Sequence, residues 1–196
     1  MPRWKSRKLR PLSERPVPGI QLRQALTKRK KAELVDLLLE LAQADHRILR
    51  QINARVEVSA TLDELAAATR QAIADATRFN ERDMNRNFDY DYEAYAEVKR
   101  NLGRLIEAGE IRLAMQLAVE LMEDASYQVE ASDEGLMTED IEDCLSVVFK
   151  AIKGSDLTAD EVLPWCSAML GSDCVGFIAR QELESLRARF QAAARR

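Results

Sequence analysis

The chain has 196 residues, 46% of them apolar and 32% charged, with only 7 Gly and 5 Pro, which excludes collagen-like, low-complexity and wholly disordered classes and leaves an ordinary folded composition. The net charge of −4 conceals a division: residues 1–31 carry eleven Lys/Arg against one Glu, a local +10, so the remainder carries −14. The longest stretch free of charge, Val162 to Ser172, is about half of the roughly 20 apolar residues that a membrane-spanning helix needs.

At the N-terminus four of the five prolines and Gly19 fall within residues 1–19, so an extended or disordered basic arm is expected over 1–20, followed by a single helical domain over 21–196. The arm does not read as a secretory signal, because Lys5, Arg7, Lys8 and Arg10 precede Pro11, Pro16 and Pro18 and not an apolar run; a cytoplasmic protein is the expectation. Arg3, Lys5, Arg7, Lys8 and Arg10, with Lys28, Arg29, Lys30 and Lys31, are candidate contacts for nucleic acid, an anionic membrane surface or the chain's own acidic body.

After Pro18 the only proline is Pro164, and apolar residues recur at three and four, the helical period. Thr27 is the expected cap of a helix whose Leu34, Leu37, Leu38 and Leu41 share a face, while four cations in its first turn oppose the macrodipole and call for a compensating anion. Asp45 starts a short second helix with Ile48, Leu49 and Ile52, so 28–57 reads as a helical hairpin. Thr61 and Glu64 form a capping box ahead of Leu62, Leu65, Ala66, Thr69, Ile73 and Ala76. Asn80 to Phe88 is polar and reads as a loop.

Asp91 caps a helix carrying Tyr95, Val98, Leu102, Leu105 and Ile106 that stops at Gly109, a residue suited to the left-handed position after a helix end. A helix with Ile111, Ala114, Leu117, Ala118 and Leu121 follows at once. The short link makes the two antiparallel, and Gly103 and Ala114 are expected to let them approach closely. Ser132 to Met137 is a second polar break. Thr138 then caps a helix bearing Ile141, Leu145, Val148, Phe149 and Ile152, with Glu139, Asp140, Glu142 and Asp143 at its start in agreement with the dipole. Thr158 and Glu161 form another capping box, and Pro164 either kinks that helix or begins it. Asp173 is the expected cap of a terminal helix with Phe177, Ile178, Leu183, Leu186 and Phe190, fraying at its Ala-Ala-Ala-Arg-Arg end.

The fold class that follows is all-α: antiparallel helical hairpins stacked as a short α-solenoid or a compact multi-helix bundle. A faint internal repeat supports stacking, since Leu37 to Ile48 and Trp165 to Gly176 share a bulky residue, an apolar pair four and five residues on, and Asp at the eighth step.

Motifs of chemistry are sparse. The glycines make neither a dinucleotide fingerprint nor a P-loop, and the single histidine, His46, offers no catalytic dyad. Cys144, Cys166 and Cys174 form no C-x-C or C-x-x-C pair and read as buried thiols, so neither zinc nor another cofactor is expected. Asp89, Asp91 and Glu93 have the start of a calcium-loop spacing, but Ala94 and Arg100 stand where that loop needs Gly and Glu. Among the aromatics, Tyr90 and Tyr92 lie off the core stripe and are candidate anchors for a protein partner.

The run L-x-x-L-I-E-A-G-E-I-R-L-A-M-Q-L-A over Leu102–Ala118, the S-D-E-G at Ser132–Gly135 and the W-C-S-A-M-L-G-S-D-C-V-G over Trp165–Gly176 resemble the helical-repeat region that accompanies bacterial SWIM zinc-finger proteins. The likeness covers 27–187, without the C-x-C and C-x-H of the finger itself. It implies a tetratricopeptide-like stack that presents a groove to a partner. Leu102, Gly103 and Ile106 match the first helix of that repeat, but the second helix starts about one residue early and no repeat of the usual length follows.

Three functions are thus in competition: a non-catalytic helical-repeat scaffold for a protein partner, which the sequence favours and which could also self-associate; nucleic-acid association through residues 1–31; and an enzyme with an acid-based site around Asp83, Asp89 and Glu93.

Overall fold

A computed structural model describes residues 18–53, 60–78, 90–132 and 138–195, and every element in them is helical. Backbone packing groups the chain into two compact units, residues 1–55 and 56–196.

In the first unit α1 spans Pro18–Thr27, α2 Lys31–Ala44 and α3 His46–Asn53. Helix α1 begins inside the stretch expected to be extended, because proline is well tolerated in a first helical turn, where its missing N–H has no partner to lose. Thr27 is therefore the last residue of α1 and not a cap: its hydroxyl donates to the Arg23 carbonyl at 2.7 Å. Lys30 takes the N-cap position of α2 and contributes no side-chain hydrogen bond. Asp45 behaves as expected, accepting the Arg47 N–H at 2.8 Å and turning the chain into α3, which packs on α2. The leucine face of α2 is not buried as the sequence suggested: Leu37, Leu38 and Leu41 are exposed, and Ala42 is the only buried apolar residue of the helix.

The second unit contains α4 (Leu62–Ala76), α5 (Tyr92–Glu107), α6 (Ile111–Ala131), α7 (Glu139–Gly154), α8 (Ala159–Ser172) and α9 (Arg180–Ala194). Both capping boxes form, at Thr61 and at Thr158, and Asp91 accepts the Ala94 N–H at 3.0 Å. Helix α5 ends in a Schellman turn: the Glu110 N–H reaches the Leu105 carbonyl at 2.9 Å, the Gly109 N–H reaches Ile106 at 3.0 Å, and Gly109 has φ +86°. Helix α8 runs through Pro164, which lies on its exposed side, so the helix starts at Ala159 and not at the proline.

The hairpins stack. Side chains of one helix bond to the helix two further on at nearly constant separations in sequence. Arg70 meets Glu120 and Gln128 meets Ala76 between α4 and α6, 50 and 52 residues apart. Between α7 and α5 or the residues leading into it, Tyr90 meets Asp140 and Cys144 meets Tyr95, 50 and 49 apart. Between α6 and α8, Arg112 meets Glu161 and Trp165 meets Met115, 49 and 50 apart. Partners advance together, so α4, α6 and α8 run parallel in one layer and α5 and α7 in the other, with α9 closing against α8. Neighbours in sequence are antiparallel: the Tyr95 hydroxyl, near the start of α5, donates to Gln128 near the end of α6 at 2.7 Å. This is the short solenoid of hairpins, with Leu102, Leu117, Leu121, Leu145 and Ile152 fully enclosed between layers, each contributing roughly 1.5–3 kcal/mol.

Several local expectations are corrected. Gly103 is not a close-approach site, since a Cβ built there meets nothing within 4 Å, whereas Ala114 is fully buried. Leu62 is exposed and leaves the α4 stripe. Thr138 has helical backbone angles and makes no cap; its hydroxyl donates to Glu142 at 3.1 Å. Asp173 does not cap the last helix. Its carboxylate accepts the N–H groups of Val175, Gly176 and Ile178 at 3.2, 2.9 and 2.9 Å, and this holds a loop that delays α9 to Arg180. Phe177 is consequently outside the core, while Ile178, Leu183 and Leu186 are inside. The alanines expected to fray continue α9 to Ala194. The faint repeat also has a structural counterpart: Asp45 and Asp173 both cap a helix C-terminus and both accept the N–H two residues on.

Candidate functional site

Of the two tyrosines singled out, the structure separates one from the other. Tyr90 is half-buried, its hydroxyl donating to Asp140 at 2.7 Å and its ring meeting Tyr95 edge-on with centroids 6.1 Å apart. Burial and the Asp140 carboxylate push its phenol up to about 12, so it serves as a neutral strut between α5 and α7. Tyr92, in the first turn of α5, is 64% exposed and makes no such contact.

Two further rings are equally open: Tyr127 on α6 at 63% and Phe177 at 58%. All three belong to one end of the stack. The Tyr95–Gln128 bond brings the start of α5 to the end of α6. Ser126, beside Tyr127, donates to the Ser172 carbonyl at 2.9 Å and accepts the Cys174 N–H at 3.3 Å, which brings the α8–α9 loop and Phe177 to the same end. Among the described residues every exposed aromatic ring lies there, and the remaining rings are buried or half-buried. Glu93, Glu123, Asp124 and Glu130 are exposed on the same helix ends, and partial desolvation together with Glu123 and Glu120 raises the Asp124 carboxyl above its ordinary value.

Helix phase explains why Tyr127 was missed. The buried positions in the second half of α6 are Leu121, Met122, Ala125, Ser126, Gln128 and Val129, so Tyr127 points away from them, a fact readable from the period once the helix is known to reach Ala131. Phe177 carries no such signal, because its exposure follows from the Asp173 loop.

The acids at the start of α7 fasten helices together as well as complementing the dipole. Asp140 holds Tyr90, Asp143 pairs with Lys99 at 2.7 Å, and Glu142 accepts from Thr138 and from the Ala179 N–H. The Lys99 ammonium lowers the Asp143 carboxyl below its ordinary value.

Two of the three thiols are buried as expected. Burial pushes Cys144 up to about 12, with its Sγ donating to the Tyr95 carbonyl at 3.2 Å, and Cys166 up to about 11, so both stay protonated at neutral pH. Cys174 is exposed, because it sits in the Asp173 loop and not within a helix. Of the acid-based site, Asp83 and Asp89 lie outside the described residues and Glu93 is an exposed first-turn residue. Among the described residues no three His, Cys, Asp or Glu side chains converge as a metal site would require. No described helix is long and apolar enough to cross a membrane.

Of the basic candidates, Arg3, Lys5, Arg7, Lys8 and Arg10 lie outside the described residues. Lys28, Arg29, Lys30 and Lys31 are exposed around the start of α2, where Arg29 pairs with Glu33 at 3.6 Å, and Lys28 lines an open hollow with Arg23, Gln24 and Thr27.

No family model, curated protein or solved structure matches this chain.

Proposed function

We propose that the chain is a non-catalytic helical-repeat scaffold, tetratricopeptide-like in its stacked hairpins and in keeping with the resemblance to the region accompanying SWIM proteins, that docks a protein partner. The single observation carrying this reading is the gathering of Tyr92, Tyr127 and Phe177 at one end of the stack, each more than half exposed. Large rings supply contact area at low conformational cost and are the residues on which binding energy concentrates. The acids Glu93, Glu123, Asp124 and Glu130 around them favour a partner segment bearing arginine or lysine, whose cations pair with the carboxylates and stack on the rings.

The test compares the wild-type chain with a Tyr92→Ala, Tyr127→Ala, Phe177→Ala variant. The variant is expected to keep its melting temperature, because none of the three rings is in the core, and to lose binding to partners recovered by the wild type. Partners bound equally by both chains, or turnover of a substrate by the purified protein, overturns the reading.

A second reading, nucleic-acid association, is favoured by the exposed Lys28, Arg29, Lys30 and Lys31 at a helix start whose N-cap gives no side-chain hydrogen bond. Replacing these four by glutamine should then weaken DNA or RNA binding and flatten its dependence on salt. Unchanged or undetectable binding rejects it.

A further inference from the structure

The two ends of the helical stack carry different charge. Tyr92, Tyr127 and Phe177 stand with Glu93, Glu123, Asp124, Glu130 and Glu139 where α5 and α7 begin and α6 finishes. The described cations nearest to them, Arg78, Lys99 and Arg180, are each held already, by Asp75, Asp143 and Glu184. At the opposite end Arg104, Arg112, Lys150, Lys153 and Arg189 are interspersed with the acids. A cationic segment therefore gains most at the aromatic end, whereas a nucleic acid is repelled there.

The chain carries such a segment itself. Residues 1–17, which lie outside the described residues, hold six Lys/Arg against one Glu, a net +5, together with Trp4, Pro2, Pro11 and Pro16. Guanidinium groups pair with carboxylates and stack on aromatic faces, and proline-rich segments dock on aromatic surfaces with little conformational entropy left to lose. Fully extended, a segment of this length reaches about 55–60 Å, more than the roughly 40 Å width of a compact unit the size of residues 56–196. A tethered segment also acts at an effective concentration of about a millimolar, so contacts too weak to hold a free peptide hold an attached one.

We propose that residues 1–17 fold back onto the aromatic end of their own chain and occupy the surface that would receive a partner. The contact is autoinhibitory: the cations of the arm meet Glu93, Glu123, Asp124 and Glu130, Trp4 and the prolines lie on the rings, and a partner must displace them. It rests on the docking reading given above and adds what competes for that surface.

The test places a nitroxide on Cys174, the exposed thiol of the loop that carries Phe177, in the full, isotope-labelled chain. In nuclear magnetic resonance spectra the amide signals of residues 1–17 and the Trp4 indole N–H should lose most of their intensity and regain it at high salt or in a Glu93→Lys, Glu123→Lys, Glu130→Lys chain. A nitroxide at the opposite end, in a Cys174→Ser, Lys153→Cys chain, should leave these signals intact. So should a nitroxide on unlabelled chains mixed with isotope-labelled chains that bear none. By fluorescence anisotropy, a dye-labelled peptide of residues 1–17 should bind the full Arg7→Glu, Lys8→Glu, Arg10→Glu chain at least about tenfold more tightly than wild type, because the tethered competitor has been disabled. Intact arm signals with the nitroxide on Cys174 overturn the proposal, as does equal loss from both label sites. Loss in the mixed sample, which would assign the arm to a second copy, overturns it too, and so does equal affinity of the peptide for the two chains. The docking reading fails separately, when the Tyr92→Ala, Tyr127→Ala, Phe177→Ala chain keeps the partners of the wild type.

Discussion

Gly109 and Gly103 lie six positions apart in the same hairpin, and the structure assigns opposite signs to substituting them. Gly109 sits at φ +86° in the Schellman turn that ends α5, where its N–H and that of Glu110 satisfy the carbonyls of Ile106 and Leu105. A Cβ there would meet nothing within 4 Å, so the cost of a side chain is entirely the local backbone penalty of the left-handed region. That penalty is about 1–2 kcal/mol for an L residue and falls hardest on β-branched ones. Gly109→Val should therefore destabilise the second unit by at least about 1 kcal/mol, lowering the melting temperature by roughly 2–4 °C for a unit of this size. Gly103 is inside α5 with an equally open Cβ direction and no positive φ, so Gly103→Ala should stabilise by about 0.5–1 kcal/mol through the lower entropy of the unfolded chain. Urea unfolding followed by circular dichroism, with the slope unchanged, measures both. A Gly109→Val chain as stable as wild type would refute the assigned turn, and a destabilised Gly103→Ala chain would refute the open Cβ direction within α5.

The other expectations are more local. Gln128 joins three helices, accepting from the Tyr95 hydroxyl and donating to the Ala76 carbonyl at 2.9 Å, so Gln128→Leu should cost about 2–3 kcal/mol by stranding two buried groups; adding Tyr95→Phe should recover part of the loss in a double-mutant cycle of urea midpoints. Asn101 is buried with its Nδ2 lacking a protein partner, and Asn101→Leu, of similar volume, should stabilise by about 1 kcal/mol, a prediction that a lowered urea midpoint would sink. In the native chain a thiol reagent should modify Cys174 alone, with Cys144 and Cys166 reacting only after denaturation; three thiols reacting at one rate would contradict their burial. The carboxyls of Glu64 and Glu161, hydrogen-bonded in the capping boxes, and of Asp143, beside Lys99, are held below their ordinary values of 4.5, 4.5 and 3.8. The folded state thus binds these protons more weakly than the unfolded chain, and the stability they contribute is whole above those values and lost as pH falls through the folded ones. Urea midpoints measured from pH 7 down to pH 3 should fall, and Glu161→Gln should make that fall shallower.

Local chemistry was the legible part of this protein. The capping boxes at Thr61 and Thr158, the Asp91 cap, the stop at Gly109 and the core stripes of α5, α6 and α7 could all be named from the sequence, because each depends on groups within a few residues of one another. Thr27, Thr138 and Asp173 show the limit of that reasoning. Their hydroxyl and carboxyl groups can serve several neighbouring backbone or side-chain partners, and the partner chosen moved a helix boundary in two cases.

The sequence by itself determined that the chain is helical, where most helices start and stop, and which residues form the core of the second unit. Only the tertiary structure decided which off-stripe side chains remain available. Tyr90 is taken up by Asp140, 50 residues away, while Tyr92 stays free, and Tyr127 and Phe177 join it because Ser126 bonds to the loop after α8. The same holds for α2, whose leucines have core periodicity and yet remain uncovered. Periodicity states that a face is apolar, but what lies against that face is set by packing between segments far apart in sequence, or in another chain, and leaves no mark on the local pattern.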